Sequence, residues 1–247
     1  MLYGLGVTIG AGIYVLLSAA AQKAGVHAPM AFVCASVVMG FSAASFAELS
    51  ARIPVSAGEA AYVYLGFGSR KLSALVGFLV IASGTVSSAA IAAGSTGYIR
   101  EFFDVPPSFL VVAIVLTLSA VAAWGIVESV LFAGIFTVFE AGALLVIVGA
   151  GVWSEPQILN ELPRIVPSLG DSAAWAGIAG AGLLAFFAFI GFEDMVNLAE
   201  EVKQPERTLP RAIFLTLFLG TLLYFMVTAV AVLAVPVGEL AASEAPL

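Results

Sequence analysis

Apolar residues run along this chain in long, nearly unbroken stretches, separated by short segments that carry most of the charge. The runs fall near 2–21, 28–50, 73–99, 108–127, 130–152, 174–198 and 212–235, and each is long enough to cross a hydrocarbon core of about 30 Å as a helix. Phe109 to Ala123 is apolar at nearly every position. Transmembrane strands alternate apolar and polar residues over about ten positions. The pattern therefore predicts an all-α membrane protein with about seven transmembrane helices.

Composition agrees with that count and leaves room for little else. About 62% of the 247 residues are apolar and 10% are charged, against roughly 25% charged in soluble domains. At roughly 20 residues per span, the apolar positions fill about seven helices, which excludes a sizeable extramembrane domain. The formal net charge is −7, and neither its sign nor its distribution favours nucleic acid. Cys34 is the one cysteine and His27 the one histidine, so neither an intrachain disulfide nor a metal cluster is expected. Apolar Leu2 and Tyr3 follow Met1 directly, without the basic start of a signal peptide, so the first segment is expected to stay as a helix. With the N-terminus in the cytoplasm, Arg52, Arg70, Lys71, Lys203, Arg207 and Arg211 lie inside, while Lys23, Arg100 and Arg164 lie outside. That distribution sets the orientation of a multi-pass membrane protein, which is expected in the plasma (cytoplasmic) membrane.

Two spans are interrupted. The first contains Thr8-Ile9-Gly10-Ala11-Gly12-Ile13-Tyr14, and the sixth contains Phe187-Ala188-Phe189-Ile190-Gly191-Phe192-Glu193-Asp194. Glycine favours local unwinding, and non-helical backbone at membrane depth is tolerated only where it is buried in protein or lines a cavity. Freed N–H groups there form a seat for a carboxylate, and freed carbonyls accept from an ammonium or coordinate a cation. One zwitterion satisfies both. The Gly6 to Gly10 spacing also fits a small-residue packing face between helices, so the glycines of the first span leave both readings open. Glu193 and Asp194 beside Gly191 tip the balance toward a break in the sixth. Corresponding breaks in the first and sixth spans point to an inverted five-helix repeat with a site between its halves.

Glu140 lies about midway along the fifth span. A carboxylate at that depth is protonated, paired or facing a polar cavity, which leaves proton or cation coupling beside a structural hydrogen bond to a neighbouring helix. Glu48 and Glu128 fall near the cytoplasmic ends of spans and are expected to be solvated.

Four stretches together resemble the amino acid–polyamine–organocation superfamily of amino acid permeases. They are Ile9 to Tyr14, Phe46 to Gly58, Phe187 to Glu193 and Glu200 to Arg211, in that order. The resemblance implies a five-plus-five inverted-repeat transporter whose first and sixth helices unwind around the α-amino and α-carboxyl groups of an amino acid. It places amides of Ala11 and Gly12, beside Gly10, on the carboxylate, and carbonyls of Thr8, Phe187 and Ile190 on the ammonium. The Phe187 ring becomes a gate over the substrate, next to Gly191, and Glu193 takes a position tied to proton-dependent gating. Proton-coupled relatives often carry a lysine where Glu140 stands, so an acid at that place is a departure that leaves H+ or Na+ as the coupling ion. No other cofactor is implied.

The family fold has ten core helices, so the chain is expected to hold one repeat and the start of another. Residues 1–152 form the first five-helix repeat and 153–173 an extracellular loop. Residues 174–235 form the first two helices of the second repeat, and 236–247 a truncated extracellular loop. Alternating access then rocks the first, second, sixth and seventh helices against the third, fourth and fifth, with the loop from Arg52 to Lys71 following. A retinal protein would need a lysine in the seventh span, which has none. An intramembrane protease would need a catalytic pair within the bilayer, so an enzyme is not expected. A non-transporting truncated subunit or passive channel is the competing reading, and oligomeric state is left open.

Overall fold

In the computed structural model, residues 1–56, 58–243 and 246–247 are described, with the side chains of Ala11 and residues 126–129 outside that description. Ala57, inside the second family-like stretch, and the Glu128 side chain therefore lie outside the described residues. The chain runs α1 (Leu2–Ala24), α2 (Ala28–Arg52), α3 (Gly58–Phe67), α4 (Arg70–Arg100), α5 (Pro107–Trp124), α6 (Ile126–Ser154), α7 (Ile158–Glu161), α8 (Ser172–Phe187), α9 (Pro205–Ala234) and α10 (Val237–Ala242). Three 3-10 helices join them, at Gly25–His27, Leu162–Ile165 and Phe192–Glu201. Among the described residues there is no strand.

Among the described residues, six stretches are long and apolar enough to cross a membrane, and the first, Leu2–Arg52, is 51 residues long. At 1.5 Å per residue that would be about 76 Å as one helix, more than twice a hydrocarbon core. The 3-10 turn at Gly25–His27 divides it into α1 and α2. Gly25 takes φ 58° there, and His27 Nδ1 lies 2.8 Å from the Ile165 carbonyl oxygen, tying the turn to the segment after α7. Counting α1 and α2 separately, the described residues hold the seven crossing segments expected from the pattern.

Two expected boundaries move. The segment between Arg52 and Lys71 is not simply a loop: it holds α3, with the Tyr62 ring packed against Phe46 at a centroid distance of 6.5 Å. The seventh span begins at Pro205 rather than near 212, because proline suits the first turn of a helix, where its missing N–H costs nothing.

The core is built from α1, α2, α8, the Phe192–Glu201 helix and α9. The most extensive contact in the molecule is that of α2 along α9. Ile9, Ile13 and Leu17 of α1, Phe32 of α2, and Ile213 and Tyr224 of α9 are wholly buried. By contrast, α5 buries no residue and α4 buries Ala92 alone among the described ones. Phe78, Ile81 and Leu116 stand more than half exposed on these two helices. Contiguous apolar surface of this kind suits hydrocarbon or other apolar segments and does not suit water.

Candidate functional site

The first break is at Gly10. Its backbone angles, φ 11° and ψ −157°, lie far from helical values within an otherwise helical α1. A Cβ built on Gly10 would meet nothing within 4 Å, whereas one on Gly12 would sit 2.8 Å from the Ala188 Cα. The two residues differ in what they do: Gly10 borders open space, and Gly12 lets α1 approach the second break closely.

The second break follows Phe187, the last residue of α8. The N–H groups of Ala188, Phe189 and Ile190 turn back onto the carbonyls of Ala185, Phe186 and Phe187, at 3.1, 3.1 and 3.2 Å. Gly191 then adopts φ 123°, a region that only glycine enters without strain, and the chain continues as the Phe192–Glu201 3-10 helix. The Glu193 carboxylate folds back and accepts a hydrogen bond from the Gly191 N–H at 2.8 Å. A Cβ on Gly191 would lie 2.7 Å from Val7 Cγ1 and 3.0 Å from the Val7 carbonyl oxygen. Glycine at 191 thus meets both a conformational and a spatial demand, and the two breaks lie against each other.

A residue that the sequence pattern does not single out joins them. Tyr224, two-thirds of the way along α9 and wholly buried, places its hydroxyl within hydrogen-bond reach of three carbonyl oxygens: Thr8, Ile9 at 3.0 Å and Ala188 at 2.9 Å. Its ring is held edge-on by Phe32 and Phe189, with centroids 5.5 and 5.1 Å away. Thr8 is buried as well, and its own hydroxyl oxygen has no hydrogen-bond partner among the described residues. The one available signal was chemical. A tyrosine in the middle of an apolar span needs a partner for its O–H, but a backbone carbonyl partner cannot be read from side-chain identities.

The remaining predicted residues take separate places. Phe187 is 40% exposed, and Ile190 is half-buried against the core. Glu140 lines a cavity of about 330 Å³ with Tyr14, Gly94, Ser95 and Tyr98. Tyr98 donates to the Tyr14 carbonyl at 2.8 Å, and the two rings meet edge to face at 5.8 Å. Tyr14 lies about one helical turn past Gly10, so this cavity adjoins the first break without containing it. A larger cavity, about 710 Å³, lies among Met1, Tyr3, Val130, Leu198, Glu201 and neighbouring residues, and its lining includes neither Gly10 nor Gly191. Among the described residues no cluster of three or more His, Cys, Asp or Glu is placed to hold a metal ion.

Toward the other end of the broken sixth segment, two family-like stretches 144 residues apart meet reciprocally. The Ser56 N–H donates to the Glu200 carboxylate at 3.2 Å, and the Glu200 N–H donates to the Ser56 hydroxyl at 3.3 Å. A Cβ on Gly58 would sit 2.8 Å from the Asn197 side-chain oxygen. The start of α3 is thereby fastened to the 3-10 helix that follows the second break.

A helical membrane protein with two discontinuous spans meeting near its centre has the architecture of a solute transporter. The amino acid permease family model matches residues 2–246, and the chain belongs to that family. It is 33% identical over 94% of its length to the vacuolar cationic amino acid transporter 2 of Arabidopsis thaliana, covering 39% of that protein. It is 28% identical over its whole length to a branched-chain amino acid permease of Bacillus subtilis, covering 56% of it. It is also 36% identical over 99% of its length to an uncharacterised transporter of Mycobacterium bovis, covering 53% of it. The chain thus spans about half the length of the curated relatives it matches, and the named ones are transporters rather than enzymes.

Proposed function

We propose that this chain supplies the amino-acid-binding half of a secondary transporter that works by alternating access in the plasma membrane, with the N-terminus in the cytoplasm. The observation that carries the reading is the meeting of the Gly10 and Gly191 breaks across the Gly12–Ala188 approach. Amides of Ala11 and Gly12 hold the substrate carboxylate. Carbonyls of Thr8, Phe187 and Ile190 hold its ammonium, and Phe187 covers it. The two named relatives carry different side-chain classes by their printed names, as recognition through backbone groups allows. Residues 1–152 act as the first repeat and 174–235 as the opening of the second. The intimate packing of α1, α2, α8 and α9, against the sparse burial of α4 and α5, supports the former as a moving bundle; the scaffold is α4, α5 and α6. Coupling to H+ or Na+ is assigned to Glu140 and Glu193.

The test is uptake of a radiolabelled amino acid mixture into lipid vesicles by the protein expressed from its full reading frame. Gly10→Leu puts a side chain into the open space at the break, and saturable uptake is expected to disappear while the protein still inserts. Glu140→Gln, which cannot release a proton, is expected to change the pH or sodium dependence of uptake. Undiminished uptake by Gly10→Leu contradicts the site, and an unchanged ion dependence in Glu140→Gln contradicts its coupling role.

A further inference from the structure

We propose that Tyr224 is a positioning residue of this site, whose hydroxyl pins the two helix breaks together so that their carbonyls face the substrate ammonium as one cluster. The inference rests on the amino-acid-binding reading above and deepens it. A phenol has one hydrogen to donate, yet three carbonyl oxygens from two separate segments converge on it. Thr8 and Ile9 immediately precede the Gly10 break, and Ala188 opens the second. Only one of the three receives the hydrogen at any moment, and the residues that carry all three are buried.

A carbonyl that accepts from the phenol keeps a lone pair with which it can accept from a further donor. A primary ammonium brings three N–H groups, and Thr8 is also among the carbonyls assigned to it. Each carbonyl has two lone pairs, so the phenol and an ammonium can share one oxygen. The ring is clamped by Phe32 and Phe189, and Gly220, one turn earlier on α9, brings the α9 backbone close to Thr8: a Cβ built there would lie 3.7 Å from Thr8 Cγ2. The hydroxyl is therefore fixed in place by the fold before any ligand arrives. Holding Thr8 and Ala188 to one atom sets the spacing between the breaks in advance, which lowers the cost of binding.

Tyr224→Phe removes the hydroxyl and keeps the ring. In vesicle uptake of the labelled amino acid mixture, KM is expected to rise at least ~10-fold while the maximal rate stays within about twofold of wild type, the pattern of lost binding rather than lost turnover. A KM unchanged within about twofold, or a fall in maximal rate at unchanged KM, overturns the role. Uptake lost in Gly10→Leu but unmoved in Tyr224→Phe removes the Tyr224 role alone, and uptake insensitive to Gly10→Leu removes the reading beneath it. Should Tyr224→Phe yield no folded protein, 3-fluorotyrosine at position 224 decides the matter. Its fluorine resonance is expected to shift in proportion to bound amino acid, and a resonance fixed at saturation overturns the role.

Discussion

Tyr224 and Tyr62 are two buried tyrosines that meet the same demand in opposite ways. The Tyr224 hydroxyl has three carbonyl neighbours, whereas the Tyr62 hydroxyl in α3 is buried with no hydrogen-bond partner among the described residues. A buried polar atom without a partner costs free energy that an apolar replacement avoids. Tyr62→Phe is therefore expected to leave the protein as stable at neutral pH or to stabilise it by up to about 1 kcal/mol. Burial, with the Glu59 carboxylate nearby, pushes the Tyr62 phenol up to about 12. Between its ordinary value near 10 and about 12, the unfolded chain loses this proton and the folded one keeps it, so stability falls as pH rises through that window. Thermal unfolding of wild type and Tyr62→Phe between those pH values checks this: the wild type should lose its stability more steeply.

At the scale of elements, the second break depends on one glycine. Gly191 combines φ 123° with a close approach to Val7, so Gly191→Ala introduces strain at a left-handed position and pushes the two breaks apart. The expected cost is about 1–3 kcal/mol of stability together with weakened uptake, read by thermal unfolding and vesicle transport on the same preparation. Full stability and full uptake in this variant would mean that the break does not need its observed backbone. The second break was legible because a glycine followed by two acids inside an apolar span conflicts with an uninterrupted helix, whereas the first was legible only by its correspondence to the second, since its glycines also fit a packing face. The spans were legible because hydrocarbon thickness fixes their length. The ten-residue α3 was not, since a short apolar run between Pro54 and Gly68 gives too little pattern to separate helix from loop. The reciprocal Ser56–Glu200 pair was hidden for another reason: it joins a backbone and a side chain from each partner across 144 residues, and neither residue type is unusual in a loop.

For the whole molecule, the division of burial is the main physical fact. The segments that carry the breaks, with α2 and α9, form the tightly packed core, while α4 and α5 present apolar side chains outward. Glycines at contact points inside that core admit close backbone approach, as where a Cβ on Gly12 would reach Ala188, and such approach is how helices associate where no hydrophobic force drives them together. The central claim is that these two breaks together form one amino acid site. Equilibrium binding of a labelled amino acid to the purified protein, in wild type and in Gly10→Leu, tests it most directly. Wild type should bind saturably, with competition by the unlabelled amino acid but not by its decarboxylated amine, and Gly10→Leu should not bind. Equal binding by the two proteins, or equal competition by the amine, would contradict a site built from both breaks.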